Sequence, residues 1–125
     1  MAWLVRRIFE ELVFIVILPV ERCRAWWARA RGLLGREAPK SGTALWIVPC
    51  RQVHTFGMTY AIDVVALDKQ GVVLDVRTLT PWRIGPWIWR AHSTLELAAG
   101  EAGRLGITIG VRPTLQEIGS VEVSR

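Results

Sequence analysis

Three side chains capable of chemistry fall at even spacing in one short stretch. Cys50, His54 and Met58 lie in Pro49-Cys-Arg-Gln-Val-His-Thr-Phe-Gly-Met58. Residues four apart share a face of a helix and a side of a strand, so a regular element would bring the three together. A thiol, an imidazole and a thioether together suit a soft metal, copper(I) above all. Without a metal, Cys50 and His54 could serve as nucleophile and base, with Asp63 orienting the imidazole. Two features weigh against the metal. The chain holds one further Cys (Cys23) and one further His (His92), and Pro49 and Gly57 interrupt any regular element across the stretch.

Asp63 has Ala61 and Val65 as its neighbours on the same side of an extended run. A carboxylate in such apolar surroundings must find donors or take up a proton. It is therefore either a catalytic or ligand-holding acid, or a structural acid. The structural reading is favoured, with Asp63 tying down the His54–Met58 loop through backbone N–H groups or the imidazole, because buried polar groups are ordinarily satisfied in this way.

Pro81-Trp-Arg-Ile-Gly-Pro-Trp-Ile-Trp-Arg90 holds three of the chain's seven tryptophans and two arginines. Its prolines and glycine predict a loop at least as far as Pro86. Loop tryptophans beside arginine stack on sugars, proline-rich peptides or other rings, or dock at lipid headgroups. With the preceding loop they mark a candidate contact surface of His54, Phe56, Met58, Trp82, Arg83, Trp87 and Trp89. The alternative is internal, with Trp82 folded over the core and Trp87 and Trp89 against the N-terminal segment.

The elements around these loops must position them. At 125 residues the chain is long enough for one small domain. Ala44–Val48, Ala61–Leu67, Val72–Leu79 and Ser93–Ala98 read as strands, with hairpin-turn chemistry at Asp68-Lys-Gln-Gly71. Gly100, Gly103 and Gly106 frame a turn or one-turn helix, and Ile107–Val111, Leu115–Ile118 and Val121–Val123 are further short runs. The N-terminal segment reads differently. Arg6–Glu10 and Arg7–Glu11 are i,i+4 pairs, and Leu12–Val20 is apolar throughout, which predicts a helix followed by the Trp–Arg stretch Glu21–Arg31. The apolar run is too short to span a bilayer, which takes about 20 residues. Residues 1–40 carry eight basic and four acidic residues, so +4 of the net +5 belongs to this leader. A nucleic-acid-binding domain carries its basic stripe on the folded module itself, so no nucleic-acid partner is expected.

Read in order, the segments resemble an uncharacterised group, domain-of-unknown-function family 192, also described as UPF family 0127. The resemblance runs from Arg31-Gly-Leu-Leu-Gly-Arg36 through Leu45-Trp-Ile47, Pro49-Cys50, Val53-His-Thr-Phe-Gly-Met58, Ile62-Asp-Val-Val65 and Pro81-Trp-Arg83. It ends with Leu95-Glu-Leu-Ala-Ala-Gly100, Arg104-Leu-Gly-Ile107 and Gly110. It implies a compact β-rich domain and brings no established reaction. Tyr60-Ala61 departs from an aromatic–Pro pair common in the family, and Val111 stands where an Asp is expected. A branch lacking the Cys and His but keeping the Met puts Asp63 ahead of the dyad and the copper site.

The expected fold class is α+β, mainly β. It comprises a small antiparallel sheet or partly open barrel over residues 31–125, preceded by a helical segment over 1–30. The expected function is a non-catalytic binding or assembly module at or near a membrane surface, bacterial and membrane-associated or cytoplasmic rather than secreted, with no cofactor. Its partners are a membrane surface or another protein through the N-terminal helix, and a small ligand or peptide at the loops. The competing expectation is an enzyme or soft-metal carrier using Cys50, His54 and Asp63.

Overall fold

The computed structural model describes residues 3–8, 11–23 and 37–121. Its elements are β1 (Trp3–Ile8), β2 (Glu11–Cys23), β3 (Ala44–Ile47), β4 (Ile62–Leu67), β5 (Val73–Leu79), β6 (Ser93–Ala98), the single-turn helix α1 (Glu101–Arg104) and β7 (Thr114–Val121). The strands form an open mixed sheet in the order β1-β2-β3-β6-β4-β5, with β7 also paired to β2. The β2–β3 and β2–β7 pairs are parallel, and the others are antiparallel. The fold is thus mainly β, but neither wholly antiparallel nor a closed barrel.

The expected N-terminal helix is corrected where residues are described: 3–8 and 11–23 are strands. The Glu21–Arg31 stretch is strand to Cys23, and residues 24–36 lie outside the described residues. The reason is local as well as tertiary. Val13, Ile15, Val16 and Ile17 are β-branched, which favours strand over helix, and Pro19 costs about 3 kcal/mol inside a helix. Once β2 pairs with β3 and β7, the run acquires a period of two. Val16, Leu18 and Val20 are buried, while Ile15, Ile17 and Pro19 are half-buried. Pro19 lies beside a register shift at Val20/Glu21 in the β2–β7 ladder, where a missing N–H is tolerated.

Both faces of the sheet are covered, so β4 is buried at every position. On one face Val65, Leu67, Leu95 and Leu97 pack with Val16, Leu18 and Val20 under Ala102, Leu105 and Ile107 of α1 and its exit. On the other, Leu45, Ile47, Ile62, Val64 and Leu79 pack under Cys50, Val53, Met58 and Tyr60. The predicted turn at Asp68 forms, its Oδ1 accepting the amides of Gln70 and Val72. Ile107–Val111 is loop rather than strand, because Val73 N–H donates to Val111 O and Gly110 N–H to Val73 O, closing a turn over the start of β5.

Candidate functional site

Two loops cover the second face, residues 48–60 after β3 and 80–92 between β5 and β6, and they are laced together rather than merely adjacent. Gly85 N–H donates to Val53 O at 2.9 Å, Thr55 N–H to Arg83 O at 2.8 Å and Ile88 N–H to Arg51 O at 3.0 Å. His54 and Ile84 form an isolated antiparallel bridge at the centre of this seam. Side chains reinforce it, with Gln52 Nε2 donating to Gly85 O at 3.0 Å and Arg51 Nε to Trp89 O at 3.2 Å.

Thr55 is the hub of the lacing. It is fully buried, its hydroxyl donates to Thr80 O at 2.6 Å, and the same oxygen accepts Arg83 N–H at 2.9 Å. Its carbonyl accepts the amides of Met58 and Trp82. These bonds hold Trp82 at φ 61°, a left-handed conformation that costs a non-glycine residue about 1–2 kcal/mol. Gly85 makes the close approach possible, since a Cβ there would lie 3.2 Å from Val53 O and 3.3 Å from Leu79 Cδ1. Sequence reasoning singled out neither Thr55 nor Gly85, because nothing in either residue's type announces a partner in the other loop.

The laced loops expose several large apolar side chains to solvent. Trp89 is 79% exposed, Trp82 64%, Ile84 61%, Trp87 49% and Phe56 43%. Phe56 stacks on His54 at 5.0 Å between centroids and lies 6.3 Å from Trp82, while Trp87 and Trp89 meet edge-on at 5.5 Å. Beneath the loops lies a small space of about 10 Å³, between Val53, Val64, Leu79 and Gly85 among others. The larger hollow, about 480 Å³, lies elsewhere, against Glu21, Lys40, Thr43, Leu45 and Ile118, and touches none of the candidate residues.

The residues proposed from sequence for chemistry are dispersed by the same geometry. Cys50 is half-buried against the second core, its thiol donating to Gln52 O at 3.3 Å. His54 is exposed, its Nδ1 accepting Phe56 N–H at 3.2 Å. Met58 is buried in the core, so the even spacing of four places His54 outward and Met58 inward. Asp63 stands on the opposite face of the sheet. Its Oδ1 accepts the Thr78 hydroxyl at 2.7 Å and its Oδ2 accepts Ala102 N–H at 3.0 Å, so it ties α1 rather than the His54–Met58 loop. Among the described residues no group of three or more His, Cys, Asp or Glu could hold a metal ion.

One buried acid was not singled out from sequence. Glu96 on β6 sits directly between Leu45 of β3 and Val64 of β4, on the face the two loops cover. Its Oε2 is buried with no hydrogen-bond partner, and burial pushes its carboxyl up to about 7. The signal available was a lone charge between Leu95 and Leu97 inside a predicted strand. On the other face Glu101 accepts from Ser41, the Gly42 amide and Arg104, and the Arg104 guanidinium draws its carboxyl down to about 2.

Known proteins match both sequence and fold. The family model DUF192, described as "Uncharacterized ACR", matches residues 15–115, beginning inside β2. A UPF0127 protein of Pyrococcus abyssi is 53% identical over 32 residues, 26% of this chain and 27% of that protein. The fold is similar to a protein of unknown function from Novosphingobium aromaticivorans, with TM-score 0.66 and 18% identity over 85% of this chain and 79% of that one. It is also similar to a Sinorhizobium meliloti protein described as a proposed transcription regulator, with TM-score 0.65 and 18% identity over 86% of this chain and 87% of that one.

Proposed function

The chain belongs to the DUF192 family, and on that footing we propose that it is a non-catalytic binding domain that attaches to a membrane surface through residues 50–58 and 80–90. One observation carries this reading: Phe56, Trp82, Ile84, Trp87 and Trp89 all stand exposed on two loops laced to each other, with Phe56 near Trp82 and Trp87 against Trp89. Scattered apolar residues on a surface need no explanation, but a contiguous patch marks a contact. Tryptophan is enriched where protein meets the membrane–water boundary, because its ring is apolar and its N–H polar. The lacing lets these rings meet a surface without first being ordered, which lowers the entropic cost of binding.

The free space beneath the loops is about 10 Å³, whereas a small-molecule pocket takes roughly 300–1,000 Å³. An extended surface therefore suits the platform better than a sequestered ligand. Among the described residues no helix is long and apolar enough to cross a membrane, and attachment in this reading is peripheral. An enzyme or soft-metal carrier built on Cys50, His54 and Asp63 has no comparable support, since the three side chains are divided between two faces of the sheet.

Flotation with vesicles of phosphatidylethanolamine and phosphatidylglycerol tests the proposal. The unaltered chain is expected to float, and the triple variant Trp82→Ser, Trp87→Ser, Trp89→Ser to remain at the bottom with its thermal midpoint retained. An unaltered chain that stays at the bottom, or a triple variant that floats as well, overturns it.

A further inference from the structure

We infer that the surface this platform meets is anionic, with Arg51, Arg83 and Arg90 taking lipid phosphates while the rings enter the interface. The inference rests on the membrane reading above and adds the chemistry of the partner. Residues 49–60 and 80–92 contain these three arginines, His54 and His92, and not one Asp or Glu, although the whole chain has 11 acidic residues. All three arginines are exposed, and none pairs with a carboxylate among the described residues. Three arginines elsewhere in the described fold are paired, although the exposed Arg112 is not. Arg22 is held by Glu117 at 3.0 Å, Arg77 by Asp75 at 2.7 Å and Arg104 by Glu101 at 2.6 Å.

A carboxylate beside Arg51 is already engaged. Asp75 lines the same small space as Arg51, but both of its oxygens accept from Arg77. Arg51 and Arg83 each spend one donor on the loop backbone, on Trp89 O and Trp82 O, which ties each guanidinium to the main chain of a tryptophan in the platform. Cations among exposed tryptophans, with acids excluded, complement a surface that is negative at the phosphate level and apolar below it. A guanidinium matches phosphate in two-point geometry, so arginine suits this role better than a point charge.

The test compares vesicles of phosphatidylcholine alone with vesicles carrying about one-third phosphatidylglycerol, in low and in high salt. The expected result is strong flotation only with the anionic vesicles, reversed by salt. Each arginine is worth about fivefold in partitioning near such a surface, so Arg51→Gln, Arg83→Gln and Arg90→Gln together reduce anionic binding by about a hundredfold. Arg83→Gln with Arg90→Gln alone, which leaves the Arg51–Trp89 bond intact, still reduces it about twenty-fold. Equal, salt-insensitive flotation with both vesicle types overturns the anionic inference and leaves the membrane reading standing. No flotation with either overturns both, and quenching of the exposed tryptophans by polyglutamate in that case assigns the platform to an acidic protein instead.

Discussion

The Asp63 carboxylate and the Ala102 amide, 39 positions apart, meet at 3.0 Å inside the first core. Gly100 at the N-terminus of α1 has no side chain to cap the helix, and its φ of 89° is a conformation that glycine adopts without strain. Asp63 supplies the missing acceptor from β4, and Thr78, its partner across β5, satisfies the other oxygen. The acid with the strongest claim to chemistry in the sequence is thereby occupied on both sides, in a fold that needs it there.

Asp63→Asn keeps the shape but sets an amide against one of two donors. A buried donor left without its acceptor costs about 1–3 kcal/mol. The variant is expected to unfold at lower urea by that amount, with α1 amides exchanging faster than those of β4. Urea titration with hydrogen exchange reads both. Unchanged stability would mean that the carboxylate contributes no cap.

Much of the sheet was legible because its strands obey simple rules. Ile62–Leu67 and Ser93–Ala98 are short apolar runs between turn residues, and both form where expected. Leu12–Val20 was not legible, since an unbroken apolar run shows neither a period of two nor one of 3.6. Its strand periodicity emerges only with partners at 44–47 and 114–121, pairings that no local pattern encodes. The site divides in the same way. The exposed rings were legible from Pro, Gly and Trp in one loop, whereas Thr55 and Gly85 matter through bonds between loops some 30 residues apart, such as Thr55–Arg83. Glu96 left a trace, a charge alone in an apolar strand, and its consequence is measurable.

Glu96 carries a carboxyl raised by burial to about 7 from an ordinary 4.5. The folded state therefore holds its proton more tightly than the unfolded chain. The resulting stability is complete below about pH 4.5 and is lost as pH rises through about 7. The difference is on the order of 3 kcal/mol, because each pH unit separating the folded from the unfolded value is worth about 1.4 kcal/mol. Urea midpoints taken at pH 5 and pH 8, roughly the two ends of this window, are expected to fall for the unaltered chain and to change much less for Glu96→Gln. Parallel slopes in the two proteins would remove Glu96 as the cause.

Glu101 behaves in the opposite sense. Its carboxyl is drawn down to about 2, first by Arg104 and then by Ser41 and the Gly42 amide. Its contribution is present above about pH 4.5 and is lost as pH falls toward 2. Acid titration followed by circular dichroism should therefore show Glu101→Gln to be the weaker chain at pH 5 and the two converging toward pH 2, about where the carboxyl of the unaltered chain is protonated. This window does not overlap that of Glu96, so the two variants separate the acid and alkaline limbs of one stability profile.

Thr55 bears on whether the platform is preorganised or merely exposed. Its hydroxyl accepts Arg83 N–H and donates to Thr80 O, and no water reaches it. Thr55→Val preserves volume and removes both bonds, leaving an amide and a carbonyl that must be resolvated by opening the seam. The expected loss is about 1–3 kcal/mol. Because the seam holds Trp82 at φ 61°, its loosening should also release that residue into an ordinary conformation. Faster amide exchange at Trp82, Arg83 and Gly85, with β4 and β6 unchanged, is the pattern expected. A variant that keeps its slow exchange at these positions, yet loses the same stability, would place the role of Thr55 in the core and leave the lacing to the backbone alone.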